Sequence, residues 1–167
     1  MASPLQVEIK YKGVIPNSSE KAIKIIDDEM RKGIEKVLMW LWRKIVNKTP
    51  GHTGTLQRSI TTRIEGFGLN LQGIVGSPSE YALPVEKGRR AGTWPNIDAL
   101  KTWVRQKLKV SESDVDKVSY LIADKIRFRG IPPVGMFEKT YNEEKATVLR
   151  FLDEALARVT QRLRGTA

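Results

Sequence analysis

Residues 60–75, ITTRIEGFGLNLQGIV, decide the fold. Ile60, Thr62 and Ile64 fall on one side of an extended chain, and Leu69, Leu71 and Val75 return to one side after Glu65-Gly66-Phe67-Gly68. A period of two marks a half-buried strand, because successive side chains of extended backbone point to opposite faces. Gly66 and Gly68 tolerate backbone angles that other residues resist, so the stretch reads as a β-hairpin turning at residues 65–68.

Toward the N-terminus the period changes. Ile23, Ile26, Met30, Ile34, Val37, Leu41 and Ile45 recur at three and four residues, the spacing of one helix face. Asn17 or Ser18 is the expected cap, with Glu20 three residues after Asn17, and Thr49-Pro50-Gly51 ends the helix. Trp40 and Trp42 lie off the stripe, so the helix is expected to pack on more than one side, against its own chain or a neighbour. The cluster Asp27-Asp28-Glu29 reads as a solvated polar face. Further upstream, Leu5, Val7, Ile9 and Tyr11 alternate with Gln6, Glu8 and Lys10 as a strand, and residues 13–17 turn the chain.

Toward the C-terminus, residues 81–86 suggest a third short strand. Pro84 cannot donate to a ladder, which places that strand at a sheet edge or bulge. Three helices follow. The first, near residues 96–109, turns Ile97, Leu100, Val104 and Leu108 inward and carries Lys101, Arg105 and Lys109 as a separate row. The second starts at Ser111 or Ser113 and uses Val115, Val118, Ile122 and Ile126. The third follows Gly130-Ile131-Pro132-Pro133, covers about residues 139–163, and presents Val148, Leu152, Val159 and Leu163. The expected fold is α+β, a small antiparallel sheet (hairpin plus edge strand) packed against a long N-terminal helix and three C-terminal helices. Residues 1–167 read as a single α+β domain, with 1–16 an N-terminal strand or arm and 137–167 an added C-terminal helix.

Composition narrows the function. With 40% hydrophobic residues in 167, a core can form. No apolar run approaches the roughly 20 residues of a membrane helix. Glu8, Lys10 and Lys12 interrupt what a secretory signal would keep apolar, so a cytoplasm-like space and no membrane partner are expected. Cysteine is absent, which removes disulfides, thiolate catalysis and Cys-ligated zinc. His52 is the only histidine, so neither a zinc site nor a Ser-His-Asp relay has the parts it needs. There is no Gly-x4-Gly-Lys-Ser/Thr phosphate loop. The expectation is a protein that is not an enzyme, with no catalytic residues, no cofactor and no metal. The net charge is +10, and residues 87–109 hold seven basic side chains against one acid, Asp98. Lys87, Arg89, Arg90, Lys101, Arg105 and Lys109 are therefore candidates for contact with an acidic protein surface or with DNA.

Two blocks carry a resemblance. The first is Thr49-Pro50-x-x-Thr53-Gly54-x-Leu56-x-x-Ser59-Ile60, between the long helix and the hairpin. The second is Tyr81-Ala82-x-x-Val85-Glu86-x-Gly88, just after Gly76-Ser77-Pro78. In this order and spacing, over residues 22–136, they resemble the neck and tail-completion proteins of long-tailed bacteriophages, the tail-component family of the Hong Kong 97 type. Arg89, Arg90, Trp94 and Pro95 resemble the basic loop that follows in that family. The resemblance implies a structural subunit of the virion that forms a homo-oligomer, usually a ring, and joins head and tail around the channel that double-stranded DNA crosses. It implies connector or head-closure and tail proteins as partners, no cofactor, and a place in the neck or tail after assembly in the host cytoplasm. Residues 81–88 would be the sheet edge offered to a neighbour, and the strand at residues 5–11 an arm for another subunit. The rival reading is a stand-alone basic nucleic-acid-binding protein. It lacks the alternation of aromatic and basic residues that a base-stacking strand needs.

Overall fold

The computed structural model describes residues 5–12, 20–51 and 54–165. The chain forms two compact units, Met1–Glu86 with Gly135–Ala167, and Lys87–Val134.

In the first unit, strand β1 (Leu5–Lys12) is followed by helix α1 (Glu20–Lys48), a short helix α2 (Thr55–Ser59), strands β2 (Thr61–Phe67) and β3 (Asn70–Ser77), and helix α3 (Ala82–Lys87), whose last residue begins the second unit. Helix α6 (Glu138–Arg164) returns to it. The sheet has the order β1-β3-β2, with β3 antiparallel to both neighbours. The fold is α+β, as the sequence patterns indicate: a three-stranded antiparallel sheet, a long N-terminal helix and C-terminal helices.

Helix α1 is covered on two sides by its own chain. One side meets the sheet: a Cβ on Gly73 of β3 would stand 2.5 Å from Cγ2 of Ile34. The other meets α6, where a Cβ on Gly33 would stand 2.5 Å from Cβ of Ala155. Polar pairs fix the sense of the second contact. Lys48 pairs with Glu143, Lys44 with Glu144 at 2.9 Å, Lys36 with Glu154 at 2.7 Å, and Glu29 with Arg158 and Arg162. Residue numbers fall on one helix as they rise on the other, so α1 and α6 are antiparallel. Ile26, Met30, Ile34, Val37, Leu41 and Ile45 are fully buried between these layers. Trp40, off the stripe, meets Phe151 edge-on at 5.9 Å between ring centroids and donates from Nε1 to Glu144.

Several expectations are corrected. Residues 81–86 are not a strand. The chain turns helical as Ala82 N–H donates to Ser79 and Val85 N–H to Tyr81, and Pro84 lies in the first turn of α3, where a missing N–H goes unused. The third strand is β1 instead, paired along β3 from Leu5↔Ser77 to Lys12↔Asn70. The hairpin turns later than expected. Phe67 pairs with Asn70, and Gly68 and Leu69 form a two-residue loop with φ of 61° at Gly68. Asp27 and Glu29 are buried rather than solvated. Asp27 Oδ1 accepts from the Gly68 N–H at 2.7 Å and from Arg31, whose Nη2 also reaches the Gly66 carbonyl, so α1 holds the hairpin turn. The expected turn at 13–17 and the caps Asn17 and Ser18 lie outside the described residues.

The second unit holds α4 (Ile97–Leu108) and α5 (Glu112–Arg129). Asn96 caps α4 through the Ala99 N–H, and Lys109 ends it in the left-handed region. Val104 is buried but Leu108 is exposed, and the buried stripe of α5 runs through Val115, Ser119 and Ala123. The ends of this inserted segment are tied by a bridge, in which the Arg89 N–H donates to the Ile131 carbonyl and the Ile131 N–H to that of Arg89.

Candidate functional site

The first block of the resemblance sits where α1 passes into α2 and β2. Thr49 is buried, and its Oγ1 lies 2.7 Å from the Ile45 carbonyl and 3.2 Å from Met136 Sδ. Gln57 Nε2 donates to the carbonyls of Thr49 and Val46, which satisfies acceptors left open at the end of α1. Gly54 takes φ of 72°, as the sequence requires of a residue turning the chain so sharply. Ser59 Oγ bonds the Leu56 carbonyl and lies 2.7 Å from Ser77 Oγ, and Trp42 Nε1 donates to the carbonyl of buried Ile60. Leu56 is half-buried and Pro50 exposed, while His52 and Thr53 lie outside the described residues.

The second block has one exposed end and one anchored end. Tyr81 is exposed, Ala82 buried and Val85 half-buried. Glu86 is buried, and its two oxygens accept from the N–H groups of Phe137 and Glu138 at 2.9 Å each. Those donors open α6 and have no acceptor within the helix, so a carboxylate is well matched to them. Gly88 has φ of 70°, and a Cβ there would stand 2.3 Å from the Ile131 carbonyl oxygen. Apart from Tyr81 and Pro50, the described residues of both blocks build the fold.

The basic candidates divide into two kinds. Lys101 pairs with Asp116 at 2.8 Å, and Arg105 holds both carboxylate oxygens of Glu112. The bond to Asp116 raises the Lys101 pKa, and the bond between Arg105 and Glu112 raises the arginine and lowers the carboxyl. Two members of the expected α4 row are thus matched by acids of α5. Arg89 donates to Thr93 Oγ1 and the Trp94 carbonyl, so it shapes its own loop. Lys87, Arg90 and Lys109 are exposed. Sequence reasoning missed Arg127, whose guanidinium lies 5.1 Å from the Trp94 ring centroid and 5.4 Å from that of Phe128. Trp94 and Phe128 are exposed beside it, Ile131 is exposed as well, and the signal was the run Arg127-Phe128-Arg129.

Among the described residues no group of His, Asp and Glu could hold a metal ion, and no helix is long and apolar enough to cross a membrane. One open groove of about 310 Å³ lies between α1 and β2, lined mainly by Leu38, Met39, Thr62, Arg63 and Ile64.

Residues 15–88 match the family model described as "Bacteriophage HK97-gp10, putative tail-component". The match takes in α1, the hairpin and both blocks and ends at Gly88, so the resemblance read onward to Met136 runs past the matched residues. Neither a curated protein nor a solved structure matches the chain.

Proposed function

We propose that this protein is a structural subunit of a tailed-phage virion, a neck or tail-completion protein that assembles into a ring and joins head and tail around the DNA channel. The observation that carries the reading is the match of residues 15–88 to a phage tail-component family. It supports a structural role among other virion proteins. The ring, the head–tail position and the partners are the finer steps proposed here.

The packing of the first unit supports assembly through some of its surfaces more than others. The apolar stripe of α1 is closed by α6 and the sheet, so it is not the face that waits for a neighbour. Among the described residues the open elements are the two edges of the sheet, exposed Tyr81 just before α3, and exposed Leu83 within it. In the second unit, exposed Lys87 and Arg90 offer positive charge, and Trp94, Phe128 and Ile131 offer apolar surface. That mixture suits an acidic face of a connector or tail protein. Strong contacts to sliding DNA would hinder its passage, which favours docking on protein. Phage-producing cells lacking this subunit should accumulate heads and tails that fail to join, or incomplete tails, and supplying it in trans should restore particles. Normal infectious particles in its absence would overturn the reading.

A further inference from the structure

We propose that the sheet of one copy continues into the next by a parallel, head-to-tail pairing of β2 with β1 of a neighbouring copy. In this pairing Glu8 of the neighbour meets Arg63, and Lys10 of the neighbour meets Glu65. The proposal deepens the assembly reading above and rests on it.

Both edges are open in the same way. Among the described residues β1 and β2 each pair with β3 alone. Every residue of β2 is exposed except half-buried Ile64, although an edge strand left bare is a template for further pairing. The groove between β2 and α1 runs along this edge, and Met39 in its wall is 55% exposed. A strand laid beside β2 would cover that wall.

The register gives the pairing its charge pattern. Glu8 and Arg63 are both partners of Ile74, and Lys10 and Glu65 are both partners of Gln72. Directly opposed residues share a face, so all four charges project from one side of the sheet. It is the side opposite Gly73, whose neighbours are Ile34 and Leu38 of α1. Along β1 the order is acid then base, along β2 base then acid, and each strand closes its own pair, at 2.9 Å and 2.6 Å. Both strands run antiparallel to β3 and hence in the same direction. A copy rotated about a ring axis therefore brings its β1 alongside β2 pointing the same way, and unlike charges meet in both rows. This contact is heterologous, uses both open edges at once, and can close a ring. A twofold pairing of β2 with β2 would also match Arg63 to Glu65, but would leave β1 open.

Charge reversal separates these arrangements. E8K/K10E and R63E/E65R each keep their own strand's pair but put like charges together in the head-to-tail contact. Each alone should raise the concentration for half-assembly about tenfold or more, read by native mass spectrometry and sedimentation. A 1:1 mixture of the two variants should assemble again with alternating copies, as should the chain carrying all four changes. Under twofold pairing each reversal stays self-complementary and assembles like wild type, and that result would overturn the proposal while leaving the assembly reading intact. A second readout uses the absence of cysteine. Gln6 and Thr61 are both partners of Gly76, two strands apart and about 10 Å from each other within one copy, too far for a disulfide. Oxidised Q6C/T61C protein should give a ladder of linked copies, and assembled protein that gives no ladder contradicts the pairing. A wild-type chain that stays monomeric and never enters particles removes the assembly reading and this interface together.

Discussion

Glu86 holds the start of a helix that begins 52 residues later: its buried carboxylate accepts the N–H of Phe137, and its second oxygen that of Glu138. The Gly135 N–H returns the tie by donating to the Glu86 carbonyl at 3.1 Å. Glu86 and Gly135, the first-unit residues that flank 87–134, are thus bonded to each other. The acid is the penultimate named residue of the second sequence block, and the helix it serves lies wholly outside the matched residues. Whatever the block does in assembly, here it fastens α6.

Replacing Glu86 tests that function directly. Glu86→Ala leaves two helix-opening donors, one on buried Phe137, without their acceptor, and should lower stability by about 1–3 kcal/mol. Glu86→Gln keeps an acceptor and the side-chain shape, so it should lose less. Urea unfolding followed by circular dichroism measures both. An alanine variant as stable as wild type would show that the tie contributes nothing.

The contact of Gly33 with Ala155 makes an unusual sign prediction. Glycine to alanine inside a helix normally stabilises by about 1 kcal/mol. Here the new methyl would lie 2.5 Å from Ala155 Cβ, which cannot swing aside, so Gly33→Ala should destabilise by roughly 1–3 kcal/mol. Adding Ala155→Gly should recover part of the loss, even though it places a glycine in the other helix. Thermal denaturation of the four proteins closes the cycle. If the double variant is the least stable, the close approach is not what governs this interface.

Acid should act through Glu29. Lys32 first, then Arg162 and Arg158, hold its carboxyl at about 2, against burial that pushes the other way. The folded pKa lies below the unfolded 4.5, so its contribution is fully present above about 4.5 and fades as pH falls through about 2. Glu144, bonded by Lys44 and Trp40, is lowered too and adds in the same direction. Wild type should therefore lose more stability than Glu29→Gln between pH 4.5 and 2, and the two curves should approach each other at the acid end. Parallel curves across that range would mean the three cations do not favour the ionised form.

The pattern of what could be read in the sequence follows the range of the interactions. Helix α1, the hairpin and α4 to α6 each repeat their own signal every two or four residues, and each is present, although the hairpin turns at Gly68-Leu69 rather than at residues 65–68. Residues 81–86 misled because Pro84 is as compatible with a first helical turn as with a sheet edge, and six residues hold too little periodicity to choose. Asp27 and Glu29 read as solvated because, besides the nearby Arg31 and Lys32, each has partners far along the chain: Gly68 for one, Arg158 and Arg162 for the other. The same holds for the basic row. Lys101 and Arg105 look like bare charge until α5 brings Asp116 and Glu112 beside them. In the two blocks of the resemblance, the spacing of the residues does not disclose what most of those described do, which is hydrogen bonding and packing within the fold.

If positive charge in the second unit docks the subunit on an acidic partner, the groups that act are those not engaged by α5. Lys87→Gln with Arg90→Gln should leave folding almost unchanged, since exposed charges contribute under about 1 kcal/mol each. It should nonetheless weaken incorporation into particles, seen as unjoined heads and tails. Lys101→Gln with Arg105→Gln removes the same formal charge from surfaces already matched by Asp116 and Glu112, and should disturb incorporation less. DNA gives the opposite ordering no help: a nonspecific binder responds to net charge, so both pairs would lower DNA affinity and its salt slope similarly. Particle yield, together with DNA binding at low and physiological salt, distinguishes the cases. Equal loss of DNA affinity in both variants, with particles unaffected, would favour the nucleic-acid-binding role. A defect confined to Lys87 and Arg90, with weak DNA binding throughout, would support docking on protein.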